Sequence, residues 1–502
     1  MRTESVFRRR VVVVGNGMAG SRVVEEIRAR DPGHRLRITV FGAEPDPAYN
    51  RVLLSTVLAG RARLEDISLA GPSWYAAQDV TVHSGVPVRR IDRGRREVLG
   101  ADGTVAPYDR LVLATGSRAV VPPLAGLSTA DGMLAGAAVF RTVEDCRWLL
   151  AAAATARRAV VLGGGVLGLE AARGLAAHSL PVEVLHAAPH LMDRQLDRPA
   201  GRLLRRTLRD LGVRTRLSAR AVAVVGGDRV RGIELADGTV VPADLLVLAC
   251  GVEPETSLAA QAGLRVERGI VVDDTLRSVS DGAVYAVGEC AQHAGRVYGL
   301  VAPAWEQAVV VADRVSGADP AATYAGSRLV TRLKATGVEL AAMGETHAEP
   351  DIDDGNGNGN GDDAEIVQFL DPARGTYKKV VVRGERLVGA ILLGDTTTVG
   401  MLTQLFDRGT PVPADRLALL FGRFAAERSD TPGHMPDRTT VCHCNGVTKG
   451  SITACWLAGA RSVDGVAAAT RATTGCGGCA EVVAGIVDWL AEADPDPSTV
   501  PA

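Results

Sequence analysis

"VVVVGNGMAGSRVVEEIRAR", residues 11–30, decides the fold. Four consecutive valines make a short β-branched run, the composition of a strand. Gly15, Gly17 and Gly20 follow at G-x-G-x-x-G spacing, and an amphipathic helical pattern comes next. The first glycine permits a tight turn and the second lets a pyrophosphate approach the backbone. The third lets helix and strand pack closely. Free N–H groups at the helix start can then meet phosphates. Glu44 closes the next strand pattern, "RITVFGAE" (37–44), where an acid can bond a ribose hydroxyl.

The pattern recurs in "RAVVLGGGVLGLEAARGLAA" (158–177), with Gly163, Gly165 and Gly168. Its following strand, "VEVLHAAP" (182–189), ends on His186 where an acid would select NAD. No Arg stands beside His186 to select a 2′-phosphate, so NADH against NADPH stays open. "REVLGADGTVAPYDRLVLATGS" (96–117) and "VRGIELADGTVVPADLLVLACG" (230–251) resemble each other, each with an Asp-Gly hairpin signal. The unit is therefore duplicated, and the fold class is α/β with two doubly wound, Rossmann-like domains. Residues 324–426 alternate strand-like and turn-like segments and end near the helical "TVGMLTQLFDRG" (398–409), predicting a small α+β domain. Within it, the Gly/Asn stretch 354–365 formally satisfies a calcium-loop pattern. "EIVQFLD" after it reads as a strand and not the helix such a loop needs, so a flexible insertion is expected.

Composition suits a soluble globular protein: 46% hydrophobic, 23% charged and net charge −2. That balance argues against nucleic acid or a membrane as partner. No stretch approaches the ~20 apolar residues of a membrane span, and no secretory signal is evident. The expected location is cytoplasmic, where clustered cysteines are metal or redox ligands more often than disulfides. No cysteine occurs before Cys146, and Cys250 is isolated. This excludes disulfide reductases and a flavin peroxidase with a catalytic cysteine near the first helix. Cys146, Cys250, Cys290 and Cys455 read as small buried hydrophobes.

Two dinucleotide sites in one chain suit a bound flavin and a visiting nicotinamide. "LVLATGS" (111–117), "LACGVEPE" (248–255) and "VYAVGECA" (284–291) resemble the FAD-dependent pyridine nucleotide oxidoreductases. The resemblance places Thr115, Gly116 and Gly288 at the flavin, and Gly251 at the nicotinamide. Glu289 stands where the family usually has Asp, and would reach the ribityl chain. It also implies that a helix beginning near "APAWEQA" (302–308) points its N-terminus at the flavin ring.

A narrower resemblance covers about residues 10–425, through "AEPDPAYNRVLLSTVLAG" (43–60), "LMDRQLD" (191–197), "YGLVAPAWEQA" (298–308) and "LVTRLKATGVELAAMG" (329–344). These are similar to the front half of the assimilatory NAD(P)H nitrite reductase large subunit. They are equally similar to the electron-transfer subunit of assimilatory nitrate reductase. Arg51 matches a position near the flavin and its pyrophosphate in that group, and His186 is at home there.

"TTVCHCNGVTKG" (439–450) and "ATTGCGGCAEVV" (472–483) carry Cys442, Cys444, Cys476 and Cys479. Four thiolates can hold a [2Fe–2S] cluster or one zinc. His443, between two ligands, is expected to point away. The pattern, over about 439–490, resembles the bacterioferritin-associated ferredoxin-like domain, which implies [2Fe–2S] in a small helical domain.

The expected domains are FAD-binding (8–120 plus 250–318), NAD(P)H-binding (121–249), and α+β (323–427, with a flexible acidic loop at 351–363). A linker (428–438), the [2Fe–2S] domain (439–490) and a loose tail (491–502) follow. A nicotinamide gives two electrons as hydride, a cluster takes one, and a flavin does both. The expected function is electron transfer from NAD(P)H through FAD and the cluster to a separate nitrate or nitrite reductase catalytic subunit. Positioning carries the chemistry, so no catalytic residue is nominated. The alternatives are a ferredoxin- or rubredoxin-type reductase, or an NADH oxidase with a zinc-binding docking module.

Overall fold

The computed structural model describes residues 8–130, 132–349, 364–422, 432–442, 445–475 and 478–493. The 351–363 loop, most of the calcium-loop pattern, His443, Cys444, Cys476 and the tail from 494 lie outside them. The chain folds as two compact units. One comprises Met1–Gly163, Ala177–Leu180 and Val222–Ser327; the other Gly164–Ala176, Pro181–Ala221 and Arg328–Ala502.

In the first unit five parallel strands form the heart of a nine-stranded sheet. Their spatial order is Val80–Ser84, Leu36–Gly42, Arg9–Val14, Arg110–Leu113 and Asp281–Ala286. The fifth strand arrives long after the fourth in sequence, so the domain closes only when the chain returns to it. Val11, Val12, Val13, Ile38, Val40, Leu111 and Val112 are fully buried. A run apolar on both faces is what a parallel strand covered on both sides requires. The helix Met18–Arg30 buries Val23, Val24 and Ile27 and packs beside Val301–Ser316, with Arg30 paired to Asp313.

Both Asp-Gly turns form as expected. They join Glu97–Gly100 to Val105–Pro107 and Val230–Leu235 to Val240–Pro242 as antiparallel pairs. The segments following the two resembling strands pair directly, Ser117–Ala119 antiparallel to Val252–Pro254. Ala137–Val139, Leu245–Leu248 and Ala159–Leu162 run parallel to one another.

In the second unit Val182–Leu185 runs parallel to Val213–Arg216. The helix Arg198–Asp210 starts on Asp197, whose side chain caps Ala200 N at 3.1 Å, with Pro199 in its first turn. A five-stranded antiparallel sheet follows, ordered Val330–Leu333, Leu340–Gly344, Arg386–Leu393, Thr376–Arg383, Glu365–Asp371, with the helix Val399–Arg408 against it. "EIVQFLD" is thus a strand, as read.

Lysine is rare here, and Lys378 and Lys379 sit side by side in this sheet, each 1% exposed. Alternation sends them to opposite faces. Lys378 Nζ donates to Leu420 O (2.8 Å) and pairs with Asp395 (2.6 Å). Lys379 Nζ donates to Asp197 (2.9 Å), Thr346 O (2.9 Å) and Ala348 O (2.6 Å). Three donors meet three acceptors, which makes so deeply buried an ammonium tolerable.

Residues from Thr440 form a small helical domain with its own core of Ile452, Trp456, Val466, Val483 and Ile486. The hairpin Thr440–Cys442 with Val447–Thr448 leads into the helices Lys449–Leu457, Val463–Thr470 and Ala480–Ala493. Part of the stretch expected as linker is tied to this domain. Lys449 Nζ donates to Met435 O (2.8 Å), and Gly450 N to Asp437 O (2.8 Å).

Candidate functional site

The first glycine loop is built by backbone crowding on one side and openness on the other. Gly15 has φ +110°, and a Cβ there would lie 2.2 Å from Ala114 O. A Cβ on Gly20 would lie 1.9 Å from Gly15 O, whereas one on Gly17 would meet nothing within 4 Å. Gly15 and Gly20 are therefore demanded by strand–helix packing, and Gly17 faces open space. Gly17 is also the N-cap of Met18–Arg30, and no side chain caps that helix. Its leading N–H groups are left for an anion, the arrangement that accepts a pyrophosphate.

Around this loop the first unit gathers a polar network. Glu44 accepts from the Tyr49 hydroxyl (2.6 Å) and pairs with Arg51. Burial pushes the Tyr49 phenol up. Arg51 in turn donates to Arg141 O at 3.0 Å. The Arg141 guanidinium donates to Glu289, which also accepts from Ser117 Oγ at 2.7 Å. Glu44, Arg51 and Glu289 are thus brought together, and Arg141 is the joint. Arg141 Nε is buried without a hydrogen-bond partner, a donor left over in a site that fits a polyanionic cofactor. Gly288 N donates to the fully buried Gln307 Oε1 (2.7 Å). Thr115 Oγ1 donates to Glu255 O (2.6 Å), and a Cβ on Gly116 would meet nothing within 4 Å.

Sequence reading missed Arg141. The adjacent Thr142 and Asp145 form a capping box that marks the start of Val143–Ala153. That signal locates the helix, but nothing local announces that Arg141 reaches back to Glu289.

The second glycine loop repeats the first. Gly163 has φ +123°, and a Cβ there would lie 2.2 Å from Ala249 O. A Cβ on Gly165 would meet nothing within 4 Å, and Gly168 is buried in the helix Val166–Ala176. Gly251 likewise faces open space at φ +109°. His186 is bound into this loop: its Nδ1 accepts from Gly164 N at 3.1 Å, and its Nε2 lies 3.1 Å from Asp193 Oδ1. A Cβ on Gly164 would lie 2.7 Å from His186 Cγ. The imidazole is a packing piece of the loop, and the carboxylate near the strand end comes from Asp193.

Of the isolated cysteines, Cys146 and Cys290 are buried as expected and Cys455 is half-buried. Cys250 departs from the expectation, being exposed as a residue. Its sulfur nevertheless donates to Leu162 O (3.5 Å), and partial burial pushes the thiol up to about 11.

Of the four clustered cysteines, Cys442 and Cys479 are described, at 2% and 7% exposed. Their sulfurs are hydrogen-bonded to each other, which together with burial pushes the Cys442 thiol far up. The backbone N–H groups of Asn445 and Thr473 act in the opposite direction and favour the Cys442 thiolate. Cys479 immediately precedes the helix Ala480–Ala493 and accepts Val483 N at its carbonyl (2.9 Å). Two neighbouring thiols, backbone donors to sulfur and a helix N-terminus together fit thiolate ligands of a cluster. Thiolate ligation of a metal releases the thiol protons. Among the described residues no three His, Cys, Asp or Glu side chains converge on a metal.

Comparison with known proteins agrees with this geometry. Residues 9–308 match the pyridine nucleotide-disulphide oxidoreductase model, 330–410 the rubredoxin NAD+ reductase C-terminal domain, and 440–489 the BFD-like [2Fe-2S] binding domain. The nitrite reductase [NAD(P)H] of Bacillus subtilis strain 168 is 39% identical over 98% of this chain and 59% of its own. The assimilatory nitrate reductase electron transfer subunit of the same organism is 36% identical over 97% of this chain and 60% of its own. The chain thus spans about three-fifths of the length of these curated relatives. A solved covalent putidaredoxin reductase–putidaredoxin complex is 26% identical, with TM-score 0.72, over 82% of this chain and 98% of that one. The cofactors are FAD, a nicotinamide nucleotide and a [2Fe–2S] cluster. With its model matched over residues 9–308 and its glycine loop open where a pyrophosphate must lie, the chain belongs to the pyridine nucleotide-disulphide oxidoreductase family.

Proposed function

We propose that this chain takes hydride from NAD(P)H onto FAD and passes electrons singly through its [2Fe–2S] cluster to a catalytic partner, an assimilatory nitrate or nitrite reductase. The observation that carries the reading is the burial of Cys442 and Cys479 in one small core, in the same chain as two open glycine loops. A flavin converts the nicotinamide's electron pair into single electrons, and a cluster is where single electrons leave. This chain's residues do the holding. Gly15, Gly17, Gly20, Glu44, Arg51, Thr115, Gly116, Gly288 and Glu289 would seat FAD, and Arg141 joins that set. Gly163, Gly165, Gly168, Gly251 and the loop holding His186 would seat the nicotinamide. Cys442, Cys444, Cys476 and Cys479 would hold the cluster.

The similarity over nearly the whole chain to a nitrate reductase electron transfer subunit supports a reductase partner. The likeness to putidaredoxin reductase supports a second reading, delivery to a small iron–sulfur protein. Among the described residues no helix is long and apolar enough to cross a membrane. The cysteine usage supports a cytoplasmic setting.

The test is an absorption and EPR spectrum of the purified protein before and after NADH. Flavin bleaching followed by a rhombic signal from a reduced cluster, with iron and acid-labile sulfide by analysis, is the expected result. Zinc on the terminal thiols and no such signal would sink the electron-exit role and leave a docking module. Faster reduction of an added ferredoxin than of a nitrate reductase catalytic subunit would favour the second reading.

A further inference from the structure

Gly478, the residue before the last cluster cysteine, has a neighbour that local sequence does not suggest. A Cβ on Gly478 would lie 1.8 Å from Arg332 Nη1 and 2.7 Å from Arg332 Cζ. The guanidinium thus rests directly on the backbone of the residue before Cys479. Gly478 has no positive φ, so its conformation does not demand glycine. The atoms it meets are the tip of the long Arg332 side chain, so a Cβ there would move the guanidinium off this seat without disturbing the backbone. Arg332 comes from the strand Val330–Leu333 of the antiparallel domain and is half-buried. Its backbone lies in the paired strand, and among the described residues its guanidinium makes no hydrogen bond and no ion pair. This guanidinium is held beside Gly478 without a carboxylate partner.

We propose that Arg332 is the positioning charge of the cluster, a fixed cation that stabilises its reduced form and so raises its reduction potential. The inference rests on the terminal thiols holding a [2Fe–2S] cluster. A four-thiolate cluster of this kind is an anion. Taking one electron from the reduced flavin turns one ferric ion ferrous and adds one negative charge, with no proton taken up. A guanidinium one residue from a ligand favours the more negative state, and because it is always charged the effect is independent of pH. Potentials of such clusters follow local charge and burial, so an arginine can tune them without being a ligand.

The test uses the full chain and reads the cluster's midpoint by EPR-monitored redox titration. Iron and sulfide content show that the cluster is present, whatever its midpoint. Arg332→Gln is expected to shift the midpoint to lower potential and Arg332→Lys to leave it nearer the parent. Gly478→Ala is expected to shift it downward too, by pushing the guanidinium off its seat. Loss of the cluster from Arg332→Gln but not from Arg332→Lys would report the same charge as a binding effect and supports the proposal. An unchanged midpoint in a fully loaded Arg332→Gln, or cluster loss from both variants, overturns it. Zinc in the parent protein would instead overturn the reading of the cysteines themselves.

Discussion

His186 and Asp193 are joined by a contact of 3.1 Å whose donor is fixed by a third group. Gly164 N can only donate, so the His186 Nδ1 facing it at 3.1 Å must be the acceptor. Neutral imidazole then carries its proton on Nε2 and donates it to Asp193. The carboxylate is therefore held as an acceptor near the end of the strand Val182–Leu185. With the nucleotide's ribose at this strand end, as proposed, its 2′-hydroxyl would donate to the carboxylate and a 2′-phosphate would be repelled.

NADH is accordingly expected to bind more tightly than NADPH. Asp193→Asn should narrow that preference by weakening NADH and relieving the repulsion of NADPH. Dissociation constants of both nucleotides, measured on the parent and the variant, check it. A parent that prefers NADPH would contradict the assignment.

Gly17 and Gly20 should respond in opposite ways. Gly17→Ala meets no neighbouring atom, so stability should change by less than about 1 kcal/mol. FAD affinity should fall roughly tenfold or more, through loss of charge-assisted backbone hydrogen bonds worth ~1.5–3 kcal/mol each. Gly20→Ala drives a methyl into Gly15 O and should prevent folding of the first unit. Thermal melts and flavin content distinguish the two. In the second loop, Gly165→Val should keep FAD yet block its reduction by the nicotinamide.

Cys479→Ser removes one thiolate from the start of the helix Ala480–Ala493. NADH-to-ferricyanide activity through FAD should persist, while transfer to the physiological acceptor should stop. Retention of both activities would take the cluster off the electron path.

Lys379→Met leaves Asp197 and the carbonyls of Thr346 and Ala348 without their shared donor. Breaking so buried a pair should cost ~3–5 kcal/mol. Denaturant melts should show the loss, and flavin content should be little changed.

Arg10 holds the Asp109 carboxyl below the usual carboxylate range through a hydrogen bond and ion pair, at 2.9 Å for Nη2. A lowered folded value stabilises above the unfolded pKa of ~3.9 and is lost as pH falls through the folded value. Asp109→Asn should thus be less stable than the parent at neutral pH. The gap should close as acid is added below about pH 4. A gap that stays constant with pH would remove the pair from the acid response.

What could be read from the chain alone was local in origin. Gly15, Gly17 and Gly20 follow their valine strand within a few residues, and Cys442 to Cys479 carry a spacing a sequence displays directly. Strand, turn, helix and ligand identities come from short-range sterics and donor chemistry, so they survive without coordinates. Tertiary structure decided the rest. Arg141 reaches Glu289 across 148 positions, His186 closes on Gly164 and meets Asp193, and Arg332 settles on Gly478. Each is a charge or ring whose partner is chosen by packing of distant segments, and long-range placement of that kind leaves no periodicity or motif behind.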